Sequence, residues 1–124
     1  MIRRRDAVEQ DSDTFCKKYR RKDAAIRKKI VAAREALPEI EANDTILSDC
    51  AELCIALGSD GLRGELTLLK AARALAAYQG DATITREHLR SVAPIALSHR
   101  LRRDPLDEAG SGARVMRSVE SVLA

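Results

Sequence analysis

Arg63 is the residue whose setting is hardest to explain by folding alone. It lies in Gly61-Leu62-Arg63-Gly64-Glu65, and the residues from Leu66 to Gln79 read as an Ala- and Leu-rich helix. A helix start carries the positive end of the macrodipole and favours acids over cations. Gly64 follows, and glycine weakens a helix interior by roughly 1 kcal/mol against alanine. Two locally unfavourable choices in one turn point to a functional constraint. An arginine beside the exposed N–H groups of a helix start is a ready anion site, and phosphate is the usual anion there.

No other chemistry in the chain reaches that level. There is no glycine-rich phosphate loop ending in Lys and Ser or Thr, and no Ser/His/Asp set around a nucleophile elbow. No apolar strand ends in paired carboxylates to hold magnesium. His88 and His99 have basic neighbours and read as surface histidines. Cys50 and Cys54 share one helical face with no other ligand at metal-site spacing, so they read as small buried hydrophobes. With Cys16 the cysteine count is odd, and no signal peptide is recognisable, which fits reduced thiols. The chain alone is therefore expected to turn over no substrate and to hold no metal.

The elements that would position Arg63 follow helical periodicity throughout. Residues 1–11 read as a linker. Ser12 or Asp13 caps a long basic helix that runs to about Leu37, before Pro38. Its apolar stripe is Phe15, Tyr19, Ile26, Ile30, Ala33 and Leu37. Asn43 or Asp44 caps a second helix ending near Gly58, with Ile46, Leu47, Cys50, Leu53, Cys54 and Leu57 on its stripe. The short connection at 59–61 makes helices two and three close neighbours. Helix three ends at Gly80 in a left-handed C′ position. Thr85 caps helix four, which carries Leu89, Val92, Ala93, Ala96 and Leu97, with Pro94 expected to kink or interrupt it. Residues 102–112 read as a loop, and a final amphipathic helix carries Val115, Val119, Val122 and Leu123. The fold class is all-α: a bundle of four principal helices with a C-terminal helix packed on it.

Composition narrows the partners. Aromatic residues make up only 2% of the 124 residues, which removes the stacking platforms of single-strand nucleic-acid binders. Charged residues make up 33% but the net charge is +3, so the charges belong mainly to solvated helix faces. Basic residues concentrate in the first third and again at Arg100, Arg102 and Arg103. Either group could serve an acidic partner or a nucleic acid. No apolar run is long enough to span a bilayer.

The segment Gly61 to Leu68, continued by Ala71-Ala72-Arg73-Ala74-Leu75-Ala76-Ala77, closely resembles the C-terminal helical lid of the AAA+ ATPase subunit of magnesium chelatase. The resemblance continues through Ala93 to Glu108 and includes Ile2-Arg3-Arg4-Arg5-Asp6, which is similar to the segment leaving the AAA+ core. It implies that residues 1–11 link to a core outside this sequence and that 12–124 form the lid. It implies that Arg63 is the sensor-two arginine, reaching the γ-phosphate of ATP held on the core. Arg100, Arg102 and Arg103 would contact a neighbouring subunit, although salt bridges to Asp104, Asp107 and Glu108 explain them nearly as well. The parent would use ATP and Mg²⁺, assemble with its copies in a ring, and work with the other chelatase subunits in the bacterial cytoplasm or plastid stroma. That activity is ATP-driven insertion of Mg²⁺ into protoporphyrin IX, in chlorophyll or bacteriochlorophyll synthesis. The Arg-Gly-Glu turn alone also fits lids of MoxR-type AAA+ ATPases. A basic nucleic-acid-binding module and a helical adaptor without a nucleotide role are the competing readings.

Overall fold

The structure is a computed structural model and describes residues 1–59, 61–101 and 110–124. Six α-helices appear among them: α1 (Ile2–Gln10), α2 (Ser12–Ala36), α3 (Asp44–Ala56), α4 (Leu62–Gln79), α5 (Arg86–Leu97) and α6 (Gly110–Val122). Short 3₁₀ turns follow α2 (Leu37–Glu39) and α5 (Ser98–Arg100). The chain divides into two compact units, Met1–Ala32 and Ala33–Ala124.

In the first unit, residues 2–10 are helical where the sequence reads as a linker, but none of them is buried. Asp11, rather than Ser12 or Asp13, caps α2. Its carboxylate accepts from the Thr14 N–H at 3.1 Å and the Thr14 hydroxyl at 2.6 Å. Those bonds hold the Asp11 carboxyl below the usual carboxylate range. The α2 stripe is not a core face: no residue of α2 is buried, and Ile26 and Ile30 are about half exposed. The reason is composition. The first helix, Ile-Arg-Arg-Arg-Asp-Ala-Val-Glu-Gln, has no apolar face to offer in return. What order there is centres on Tyr19, whose ring lies 4.6 Å from that of Phe15 and has Arg4, Lys18 and Lys22 within 6.0 Å.

The second unit holds the core. Leu53, Leu68, Leu89, Leu97, Val115, Val119 and Leu123 are fully enclosed, so α3 to α6 each contribute. α4 packs along α5, α3 packs on α4, and α6 closes against α5 and α3. Ala33, near the end of α2, is half-buried against this cluster. Ala72, Ala76, Ala93 and Ala96 are buried too, and small residues let helix backbones approach closely. Each buried Leu contributes roughly 1.5–3 kcal/mol by leaving water.

The helix ends follow side-chain chemistry. The Asn43 side chain accepts from the Ile46 N–H at 2.9 Å and starts α3. Pro38 sits in the first turn of the 3₁₀ segment that ends α2. Gly80, at φ 85°, ends α4 in the left-handed conformation. The Asp81 N–H then donates to the Ala76 carbonyl at 2.9 Å, as in a Schellman cap. Extended residues join the loops before α3 and α5: Glu41 and Thr83 form a parallel bridge between buried Ile40 and Ile84. Pro94 does not break α5, which continues to Leu97 and yields to a 3₁₀ turn only afterwards. An Arg90 N–H bond to the Leu123 carbonyl ties α5 to the chain end.

Cys50 and Cys54 are buried, whereas Cys16 is exposed, and all three are free thiols. Burial, with the nearby Cys54, Asp49 and Glu65, pushes the Cys50 thiol from 9.0 up to about 12. Burial and Glu65 push Cys54 from 9.0 to about 11. Both thiols hold their protons more tightly when folded. Their contribution to stability is therefore complete below pH 9.0 and is lost as pH rises through those values.

Leu68→Ala should cost roughly 2–5 kcal/mol in urea denaturation followed by circular dichroism, because Leu68 is fully enclosed. Ile55→Ala, on a residue 76% exposed, should change stability by no more than about 0.5 kcal/mol. Iodoacetamide at pH 8 should label Cys16 first and reach Cys50 and Cys54 only on unfolding. Peptide mass spectrometry showing equal labelling of the three would contradict this burial.

Candidate functional site

Gly61 precedes α4 with φ 72° and ψ 177°, a left-handed-region φ that favours glycine. With no side chain, it offers no cap to the first N–H groups of α4. Arg63 stands in that turn and is exposed. Its guanidinium forms no hydrogen bond or ion pair among the described residues. Its carbonyl accepts from the Thr67 hydroxyl at 2.8 Å. A cation at a positive helix end is unfavourable by about 0.3–1 kcal/mol. An anion seated there reverses the sign and meets both the guanidinium fork and the backbone N–H groups. The arrangement can bind and orient an anion.

Gly64 has a reason the sequence did not reveal. It is buried, and a methyl group at this position would come within 2.5 Å of the Ser59 hydroxyl oxygen and 3.5 Å of Cys54 Sγ. An alanine here would fit only if the Ser59 hydroxyl turned away, so Gly64 has a packing role independent of any ligand. Glu65, also in the first turn of α4, complements the dipole and is near enough to Cys50 and Cys54 to raise both thiols.

Arg100, in the turn after α5, is half-buried, and its Nε is enclosed without a hydrogen-bond partner among the described residues. Arg102 and Arg103, with the acids at 104, 107 and 108, lie outside the described residues. Arg73, on α4, likewise has an enclosed Nε without a partner.

His88 corrects the surface reading; His99 is exposed. His88 is buried and completes a capping box at the start of α5. Its Nδ1 accepts from the Thr85 N–H at 3.0 Å, which places the ring proton on Nε2. Nε2 then donates towards Gln79 Oε1 at 2.9 Å and Asp81 Oδ2 at 3.0 Å. The Thr85-to-His88 spacing carried this signal, with histidine where a capping box usually has Glu or Gln. Asp49 and Arg86 were also missed. Asp49 is 4% exposed and accepts two bonds from Arg86, at 2.7 and 2.9 Å, which tie α3 to α5. That pairing, with the Asp49 charge, raises the Arg86 pKa. These groups are architectural. No cluster of His, Cys, Asp and Glu among the described residues could hold a metal.

Residues 47–119, spanning α3 to α6, match the family model described as the AAA lid domain. The chain belongs to the AAA lid domain family. It is 63% identical to the magnesium-chelatase 38 kDa subunit of Rhodobacter capsulatus, over 99% of this chain and 35% of that protein. It is 52% identical to the protein of the same name from Acidiphilium rubrum, over 100% of this chain and 36% of that protein. Identity to the magnesium-chelatase subunit ChlI of Anabaena variabilis is 38%, over 93% of this chain and 31% of that protein. The chain spans about a third of the length of the curated relatives it matches. The likeness to these subunits runs over nearly the whole chain. No helix among the described residues is long and apolar enough to cross a membrane.

His88→Ala should lower stability by about 1–3 kcal/mol, since it removes a buried group bonded to Thr85, Gln79 and Asp81. Asn, which keeps an acceptor and a donor, should restore part of it. Equal melting temperatures for wild type and His88→Ala would return His88 to the surface class.

Proposed function

We propose that this chain is the nucleotide-sensing lid of a magnesium-chelatase ATPase subunit. The observation that carries the reading is Arg63: an exposed guanidinium, without a partner among the described residues, in the glycine-led first turn of α4 within an AAA lid domain. When bound, ATP with its Mg²⁺ supplies the γ-phosphate charge that the rest of the subunit acts on. Arg63 donates to that phosphate and draws α4, and with it the bundle, towards the nucleotide. Loss of the γ-phosphate on hydrolysis removes the partner of Arg63 and frees the lid, a two-state element biased by one charge-assisted contact. Residues 1–11 lead from the AAA+ core, and 12–124 act as the lid. Arg100, Arg102 and Arg103 would contact a neighbouring copy in a ring; the enclosed Arg100 Nε, without a hydrogen-bond partner among the described residues, supports an intermolecular role.

In the assembled enzyme, this cycle drives the other chelatase subunits to insert Mg²⁺ into protoporphyrin IX, the substrate step of chlorophyll or bacteriochlorophyll synthesis. The setting is the bacterial cytoplasm or plastid stroma. The lid itself holds no nucleotide tightly, because one arginine and one helix start lack the cradle of a phosphate loop.

Arg63→Ala in the complete subunit should lower ATP turnover about ten- to a hundredfold, for a charge-assisted contact worth roughly 1.5–3 kcal/mol. Its melting temperature should barely move, because Arg63 is exposed. Lys should rescue only in part, since it cannot present a bidentate fork. Steady-state ATPase beside thermal melts decides the matter, and unchanged turnover would remove Arg63 from the site.

A further inference from the structure

The corner between α3 and α4 is built more tightly than a surface turn requires. The Ser59 N–H donates to the Cys54 carbonyl and the Gly58 N–H to the Ile55 carbonyl, both at 3.0 Å. With Gly58 at φ 63°, this is a Schellman cap that fixes Ser59 against the last turn of α3. The first turn of α4 then returns onto this cap. The Ser59 hydroxyl and Cys54 Sγ occupy the space around Gly64, as the 2.5 and 3.5 Å approaches of an added methyl record. Arg63 is the residue before Gly64, so the path of its backbone is set by this contact.

We propose that Ser59 and Gly64 are positioning residues: their contact sets the height and rotation of the first turn of α4, and so aims Arg63 at its phosphate. This rests on the reading of Arg63 as the phosphate-sensing arginine. The physical argument is leverage. A methyl group at 64 must displace the Ser59 side chain or lift α4 away from α3. An arginine is a long lever, so a small backbone rotation moves its guanidinium by more than a hydrogen bond tolerates. A contact aligned for a bidentate fork is sensitive to such a shift. Removing the Ser59 hydroxyl should restore the room, because the Ser59 Cβ lies 3.5 Å from the added methyl, an ordinary contact.

The test uses the complete ATPase subunit, with calorimetry of ADP and of a non-hydrolysable ATP analogue, both with Mg²⁺. Gly64→Ala should weaken the analogue about tenfold and leave ADP within about twofold, a split that mere loss of folded protein does not produce. Adding Ser59→Ala should restore most of the analogue affinity. In an Arg63→Ala background, Gly64→Ala should have no further effect on the ratio, as expected of two residues acting through one contact. If Gly64→Ala does not fold, Ser59→Val, which crowds the same contact from the other side, carries the test: a selective loss of the analogue supports the proposal and an unchanged ratio overturns it. An unchanged ratio in Gly64→Ala, or a loss that Ser59→Ala does not relieve, also overturns it. An unchanged ratio in Arg63→Ala alone would instead sink the phosphate-sensing reading on which it rests.

Discussion

The close approach of α4 to the end of α3 is the constraint on which the candidate site depends. A Schellman cap turns the chain at Gly58, a positive-φ glycine leads into α4, and a third glycine lets its first turn settle against Ser59 and Cys54. Each step removes a side chain where one would ordinarily stand. One result is a helix start without a side-chain cap, and Arg63 is placed in it. The local cost of glycine in a helical turn is about 1 kcal/mol. Leu53 and Leu68, fully enclosed on the two helices that meet here, offset it through burial.

Local signals in the sequence account for the helices well and for their partners poorly. Asn43, Gly80 and Thr85 mark ends because caps are decided within four residues. The core stripe of α3 is legible for the same reason, since helical period puts Ile46, Cys50, Leu53 and Cys54 on one side. The stripe of α2 has the same period yet stays largely exposed. Periodicity states which residues share a face, and says nothing of whether another face exists to cover it. Asp49 and Arg86 are 37 residues apart, so no window of sequence contains their pair. His88 was hidden differently: its partners are near in sequence, but its chemistry depends on ring nitrogens held between a backbone N–H and two side-chain oxygens.

Gly64 shows how a local anomaly can have two causes. Beside Arg63, it reads as a second functional departure in the same turn. Its burial against Ser59 gives it a packing role that stands without any ligand. The two residues are thus not equivalent evidence. Arg63 has no structural partner among the described residues, whereas Gly64 has one. What favours an anion is then one exposed cation at a positive helix end, with no partner among the described residues, in a chain of the AAA lid domain family.

The polar interior of the bundle is sparse, and that matters for how a lid can move. Asp49 and His88 are the buried polar residues among those described, and both are bonded between segments: α3 to α5, and the end of α4 to the start of α5. Such bonds fix angle and register, which aliphatic contacts alone leave looser. α4 is held at its far end by the Asp81 N–H on Ala76 and the Asp81 carboxylate on His88, and at its near end by Gly64 on Ser59. A helix anchored at both ends moves with its bundle rather than within it. A force applied at Arg63 by an anion would then be passed to α3, α5 and α6 together. A bundle that responds as one body would carry a contact made at one helix start to its opposite side.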